Sequence, residues 1–267
     1  MRGADMRSVL RHIAIWVLTA GLAASLGSGA AAGQGRLDPA RKDKLKALAA
    51  ETRQETERAR AELRRARADL MEIYGQYRLD EKKAKSAQQR ISKAQLALLN
   101  LHLDSQLRMR HTMSADQFAR LSQMFERKRP AGESSRPHHI EGLGPEWLPD
   151  SRIIKSLELS PDQAKRLKSV FGPSPDRRKV MSRLESDSRQ MIELYRRYDL
   201  DAAAARKLIE SMHASQQDLA SLNLRSQQAL RSVLTQEQFQ IYSNAIAQKM
   251  KQMYDRGKPG ERGPRRF

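Results

Sequence analysis

The sequence predicts an all-α fold built from two tandem, elongated helical-hairpin units. Three observations predict it. Composition is the first: Ala, Leu, Arg, Lys, Gln and Glu are abundant and β-branched residues few, which favours helix throughout. Aromatic residues make up only 5% and charged residues 30%, so the helices should form thin layers rather than wrap a thick core. A repeat is the second. Leu70–Asp80 returns as Met191–Asp201, matching Tyr74 with Tyr195, Tyr77 with Tyr198, Leu79 with Leu200 and Asp80 with Asp201 at a shift of 121. The shift then runs on without a gap, through Gln95/Gln216, Leu103/Leu224, Gln106/Gln227, Arg110/Arg231 and Phe118/Phe239. Chance does not hold register over such a span, so the chain reads as an internal duplication of a unit several helices long. The third is periodicity, with apolar residues recurring at helical steps in both copies.

Taken in order, residues 1–32 read as a secretory signal. Arg2, Arg7 and Arg11 precede a short apolar run from Ile13 to Leu26, and Ala30–Ala32 offers a small-residue cleavage site. The run is shorter than the ~20 residues of a spanning helix, so cleavage is expected rather than stable membrane insertion. Residues 33–128 form the first unit. Asp38 and Pro39 supply an N-cap and a first-turn proline, and the stripe Leu63, Ala66, Leu70, Tyr74, Tyr77 marks one helix face. After Leu79-Asp80, the stripe Ala84, Ala87, Ile91, Ala94, Leu98, Leu101 has heptad spacing, a seam for a partner helix. The second copy offers Ala205, Leu208, Met212, Ser215, Leu219, Leu222. These two long helices are expected to pair with each other or with the helices that precede them.

Residues 129–158, rich in Pro and Gly, read as a linker whose Trp147 and Leu148 would dock on a domain. Residues 159–254 form the second unit, its opening helix split at Gly172-Pro173. Residues 255–267, Gly-, Pro- and Arg-rich, read as a disordered basic tail.

Four helix starts share one pattern: Leu37-Asp38-Pro39-Ala40-Arg41, Met113-Ser114-Ala115-Asp116-Gln117, Leu159-Ser160-Pro161-Asp162-Gln163 and Leu234-Thr235-Gln236-Glu237-Gln238. The pattern is a capping box. The Ser or Thr oxygen accepts from the N–H three residues on, and the Gln side chain reaches back to the cap's own N–H. The acidic first turn complements the helix dipole.

With two such boxes per repeat, the chain resembles the Spy/CpxP family of periplasmic proteins and its paired LTxxQ motifs. The resemblance covers residues 37–128 and again 159–254. Leu234, Thr235 and Gln238 match in full. Leu159, Ser160 and Gln163, and likewise Met113, Ser114 and Gln117, match with Ser for Thr; Leu37 and Asp38 belong to a degenerate copy that ends in Arg41. The resemblance implies an ATP-independent chaperone acting on unfolded or misfolded envelope proteins, with helical hairpins pairing antiparallel into a thin curved cradle. Such a family unit normally pairs across two chains. With two units in one chain, an intrachain pseudo-dimer in a monomer is expected, and a homodimer is the alternative.

The formal charge of +19, from 50 Lys and Arg against 31 Asp and Glu, fits fast, salt-sensitive capture of client segments. Nucleic acid is not expected as a partner of an exported chain. Candidate client contacts are Arg64, Arg65, Arg67, Arg196 and Arg197 with Tyr74, Tyr77, Tyr195 and Tyr198. The alternative for the tyrosines is packing at the hairpin turns, and for the arginines a solvated face. The absence of cysteine excludes disulfides, thiolate metal sites and a cysteine nucleophile. No cofactor and no enzymatic activity are expected, because neither a phosphate loop nor a nucleophile–base motif is present. A second reading, binding or sensing of zinc, nickel or cobalt, draws on a branch of the same family. His102, His111 and His213 correspond to Asn223, Ser232 and Ser92 in the other repeat, so no histidine recurs and no metal ligand set is assigned. A third reading is a structural protein whose basic tail touches the envelope.

Overall fold

A computed structural model describes residues 39–128, 151–171 and 174–256. Within them the fold is all-α, with no strand. In chain order the helices are α1 (Pro39–Gly75), α2 (Glu81–Thr112), α3 (Ala115–Lys128), α4 (Ser151–Ser156), α5 (Pro161–Phe171), α6 (Pro175–Arg196), α7 (Ala202–Val233) and α8 (Gln236–Arg256). Residues 1–32, read as a signal, and Leu37, Asp38, Trp147 and Leu148 lie outside the described residues.

Local chemistry sets the boundaries. Asp80 caps α2 by accepting from the Lys83 N–H at 2.9 Å, and Asp201 caps α7 by accepting from the Ala204 N–H at 2.9 Å. That bond to the charged carboxylate lowers the Asp80 pKa. Ser174 caps α6 ahead of Pro175. The three full capping boxes form in both directions: Ser114 with Gln117, Ser160 with Gln163 and Thr235 with Gln238.

Two hairpins result, α1 on α2 and α6 on α7, and they meet where α2 packs on α7. Both packings expected of the long helices are therefore made. Gln88 on α2 donates to the Ala220 carbonyl on α7, while further along α2 Ser92 bonds the earlier residue His213 at 2.7 Å. Residue numbers fall along one helix as they rise along the other, so α2 and α7 run antiparallel. Ser92 and His213 are also matching positions of the two halves. A position meets its own counterpart only where a local two-fold axis relates the surfaces that carry them.

The core is a set of clusters strung along these helices. Leu103 packs with Leu184, Met191, Tyr195, Ile209, Met212 and Leu219. Leu167, Leu230, Phe239, Tyr242 and Ile246 form another under α8. At the opposite end Leu45, Met109, Met113 and Phe118 form a third. The small stripe residues Ala84 and Ala205 are fully enclosed, which lets helix axes approach closely.

The hairpins are tied differently on their flanks. In the first, Arg90 bridges Glu62 and Asp69 at 2.9 and 2.6 Å on an exposed face. In the second, the matching position is Ser211, which donates to buried Asp187 at 2.7 Å. Nearby Ser215 is fully buried and its hydroxyl has no partner. The first half carries Ala94 there. Replacing Ser215 by Ala removes an unpaired buried hydroxyl, so it should raise stability by about 1 kcal/mol, read as a later midpoint in urea unfolding.

Two boundaries are corrected. The stretch read as linker to 158 contains α4, because Ile153 and Leu157 bury their side chains in the cluster under α8. Glu158 then turns the chain with a φ of 46°, a left-handed conformation that ends the helix. Residues 255 and 256, read as tail, belong to α8, which runs to Arg256, and residues 257–267 lie outside the described residues.

Candidate functional site

Two arginines at the ends of the long helices hold the molecule's two halves together, and they do so by the same device. Arg110 sits in the last turn of α2. Its guanidinium donates to the carbonyls of Tyr195 (2.6 Å) and Arg197 (3.0 and 3.1 Å), where α6 ends. Its remaining Nη1 donates to the Gln106 carbonyl and to Gln106 Oε1 at 2.9 and 2.6 Å. Arg231, in the last turn of α7, donates to the carbonyls of Tyr74 (2.8 Å), Gln76 (2.7 and 3.1 Å) and Tyr77 (3.0 Å), where α1 ends. It also bonds the Gln227 carbonyl and side chain. Each half thus clamps the hairpin turn of the other.

The chemistry of the clamp is that of a helix C-terminus. The last carbonyls of a helix lack intrahelical donors, and together they carry the negative end of the macrodipole. A planar guanidinium with five donors answers several of them at once. Each also stacks on an aromatic floor, Arg110 over Phe118 at 4.4 Å and Arg231 over Phe239 at 4.5 Å. Burial pulls both guanidinium pKa values down to about 10, so both remain cationic at neutral pH.

The tyrosines complete the lock. The Tyr198 hydroxyl donates to the Met113 carbonyl at 2.7 Å, and the Tyr77 hydroxyl to the Leu234 carbonyl at 3.3 Å. Tyr77 stands edge-on to Phe239 and Tyr198 tilts against Phe118. Tyr74 and Tyr195 are buried, and burial raises both phenol pKa values. These placements fit the packing alternative named for the tyrosines: the Tyr77 and Tyr198 hydroxyls bond across the halves, the Tyr74 hydroxyl accepts from Gln88 at 2.9 Å, and Tyr195 packs edge-on to His102.

The candidate arginines are divided between α1 and the end of α6. Arg64 and Arg65 lie on the exposed face of α1, and Arg67 is half-buried. Arg196 is exposed and pairs with Glu193 at 2.7 Å. Arg197 is exposed, with its carbonyl held by Arg110.

The second half also joins its two capping boxes. Gln163 donates to Gln238 Oε1 at 2.8 Å and to the Val233 carbonyl at 2.9 Å, and Gln238 donates to the Leu157 carbonyl at 3.1 Å. The glutamine that closes each box therefore also ties the start of α5 to the end of α7 and the start of α8. Met113 and Leu234 are buried and Leu159 is half-buried, packing beside the boxes. Sequence reasoning matched Arg110 with Arg231 and Phe118 with Phe239, but did not single them out. The available signal was that both pairs keep residue type and register across the halves.

Among the described residues no helix is long and apolar enough to cross a membrane, and no group of three or more acidic or histidine side chains could hold a metal ion. No family profile, curated protein or solved structure matches the chain.

Proposed function

We propose that the chain is an exported, ATP-independent chaperone of the Spy/CpxP kind, with two family units in one chain pairing as an intrachain pseudo-dimer. On this reading residues 1–32 direct it to the periplasm, where it binds unfolded or misfolded envelope proteins and suppresses their aggregation. The observation that carries the reading is the pair of reciprocal clamps. Isologous pairing uses the same patch twice, with residue i meeting j and j meeting i, and Arg110 and Arg231 meet the opposite turns in that way. The paired capping-box glutamines add support. With the tyrosines locked, client contact falls to the outer basic faces, Arg64 and Arg65 among them. Their attraction is long-range, weak and redundant, which suits a partner without fixed structure.

The test is aggregation of a chemically denatured protein, followed without ATP, with and without residues 33–267, at low and high salt. Suppression near one chain per client, weakening with salt, is expected, with a monomer in sedimentation of the same sample. Suppression by a dimer would keep the chaperone and remove the pseudo-dimer. No suppression at any salt would end the chaperone reading.

A further inference from the structure

One clamp is backed by a buried residue that the other lacks. Two turns before Arg110 stands His102, and two turns before Arg231 stands its counterpart Asn223. Asn223 is satisfied: its Oδ1 accepts from Arg177 Nη2 at 2.6 Å. The position matching Arg177 in the first half is Thr56, so His102 has no such donor. Only 4% of it is exposed, and neither ring nitrogen has a hydrogen-bond partner. Its ring stands edge-on to Tyr195, with centroids 4.8 Å apart. Tyr195 is the residue whose carbonyl Arg110 holds. The imidazole is therefore wedged behind the clamped turn.

A neutral imidazole fits this place at the cost of its hydrogen bonds. An imidazolium does not, because its charge would be buried without a partner and would face a second positive charge. Arg110, on the same helix, is the charged group that acts on it. The titratable group that α6 presents is the phenol of Tyr195. No carboxylate from α1, α6 or α7 bonds to the ring.

We propose that His102 makes the clamp on the 195–198 turn an acid-opened latch, while the matching clamp on the 74–77 turn, backed by Asn223, stays shut. Burial and the Arg110 charge hold the imidazole at about 4 in the closed state, against an ordinary value near 6.5. The folded value is depressed for a base, so protons favour the open state. The closed latch has its full stability above about pH 6.5 and loses it as pH falls toward about 4, below which the slope flattens. The span corresponds to a change of about 300-fold in the opening equilibrium. Opening frees Tyr195 from α2 and uncovers the neighbouring Leu103 and Met191. Only the use of that surface for clients rests on the chaperone reading; the opening itself does not.

The experiment is amide hydrogen exchange on the whole chain between pH 7 and 4, with rates corrected for intrinsic pH dependence. Residues 195–198 and the end of α6 should lose protection as pH falls, while residues 74–77 keep theirs. His102→Asn, which installs the other half's residue, should flatten the response, and Asn223→His should move it to the 74–77 turn. Proton NMR of the His102 ring in the unmodified chain provides a reading that needs no variant. Equal loss of protection at both turns, or a ring that titrates near 6.5, would overturn the latch. Aggregation assays at pH 7 and 5 separate the two ideas, since exchange reports the latch whether or not any client is held.

Discussion

Arg110→Met should cost about 3–5 kcal/mol, the largest loss expected from any single polar side chain in the molecule. The substitution keeps apolar bulk over Phe118 but leaves the Tyr195 and Arg197 carbonyls and the Gln106 side chain without their donor. Arg231→Met removes the matching bonds on the other side and one more, to the Tyr77 carbonyl, yet should cost less, about 2–3 kcal/mol. Arg231 is half-exposed where Arg110 is buried, so water can take over part of what the Arg231 guanidinium leaves. Arg110→Lys should recover only part of the loss, because a point charge cannot answer several carbonyls with one plane. Urea unfolding of the three variants measures this, and a cost for Arg110→Met below that for Arg231→Met would show that burial does not set the clamp's strength.

Phe239→Ala should cost a similar amount, about 3–5 kcal/mol. Phe239 is fully buried and meets three side chains, two of them near it in sequence and one, Tyr77, from the other half. Arg231 lies over its face at 4.5 Å, Tyr77 meets its edge at 5.6 Å, and Tyr242 tilts against it at 6.0 Å. Truncation opens a cavity under the clamp and removes the cation–π contact together. The double variant with Arg231→Met should therefore be less costly than the two losses added, by about 1 kcal/mol. Strict additivity in a double-mutant cycle would mean that floor and clamp act independently.

The helices and their caps were legible because local chemistry writes them. Asp80, Asp201, Ser114, Ser160 and Thr235 announce helix starts, and each is bonded as its type requires. The alanine-rich seams were legible from spacing. The join between the halves was not, because it is polar. Gln95, His102, Gln106 and Arg110 lie on one buried stripe of α2, and a reading that looks for apolar stripes passes over it. An arginine is taken to be solvated by default, and nothing local says that its partners are carbonyls some 85 residues away. The tyrosines were open to two readings for the converse reason. An aromatic beside arginines in a turn looks like a contact surface, whereas the buried rings of Tyr74 and Tyr195 and the distant carbonyls bonded by the Tyr77 and Tyr198 hydroxyls fit packing at the turns. Pairing of the capping-box glutamines was out of reach too, since box chemistry specifies the O of each amide and leaves its NH2 group free to choose.

Both clamps join segments of a single polypeptide, which changes how the contact responds to dilution. Two separate hairpins that held each other through these bonds would part as the protein became scarce, and their melting temperature would fall with concentration. Joined covalently, each half meets the other at an effective concentration set by the connecting chain, on the order of millimolar for a short flexible tether. The fold should therefore melt at one temperature across a hundredfold range of protein concentration. A single chain at high dilution would keep its shape.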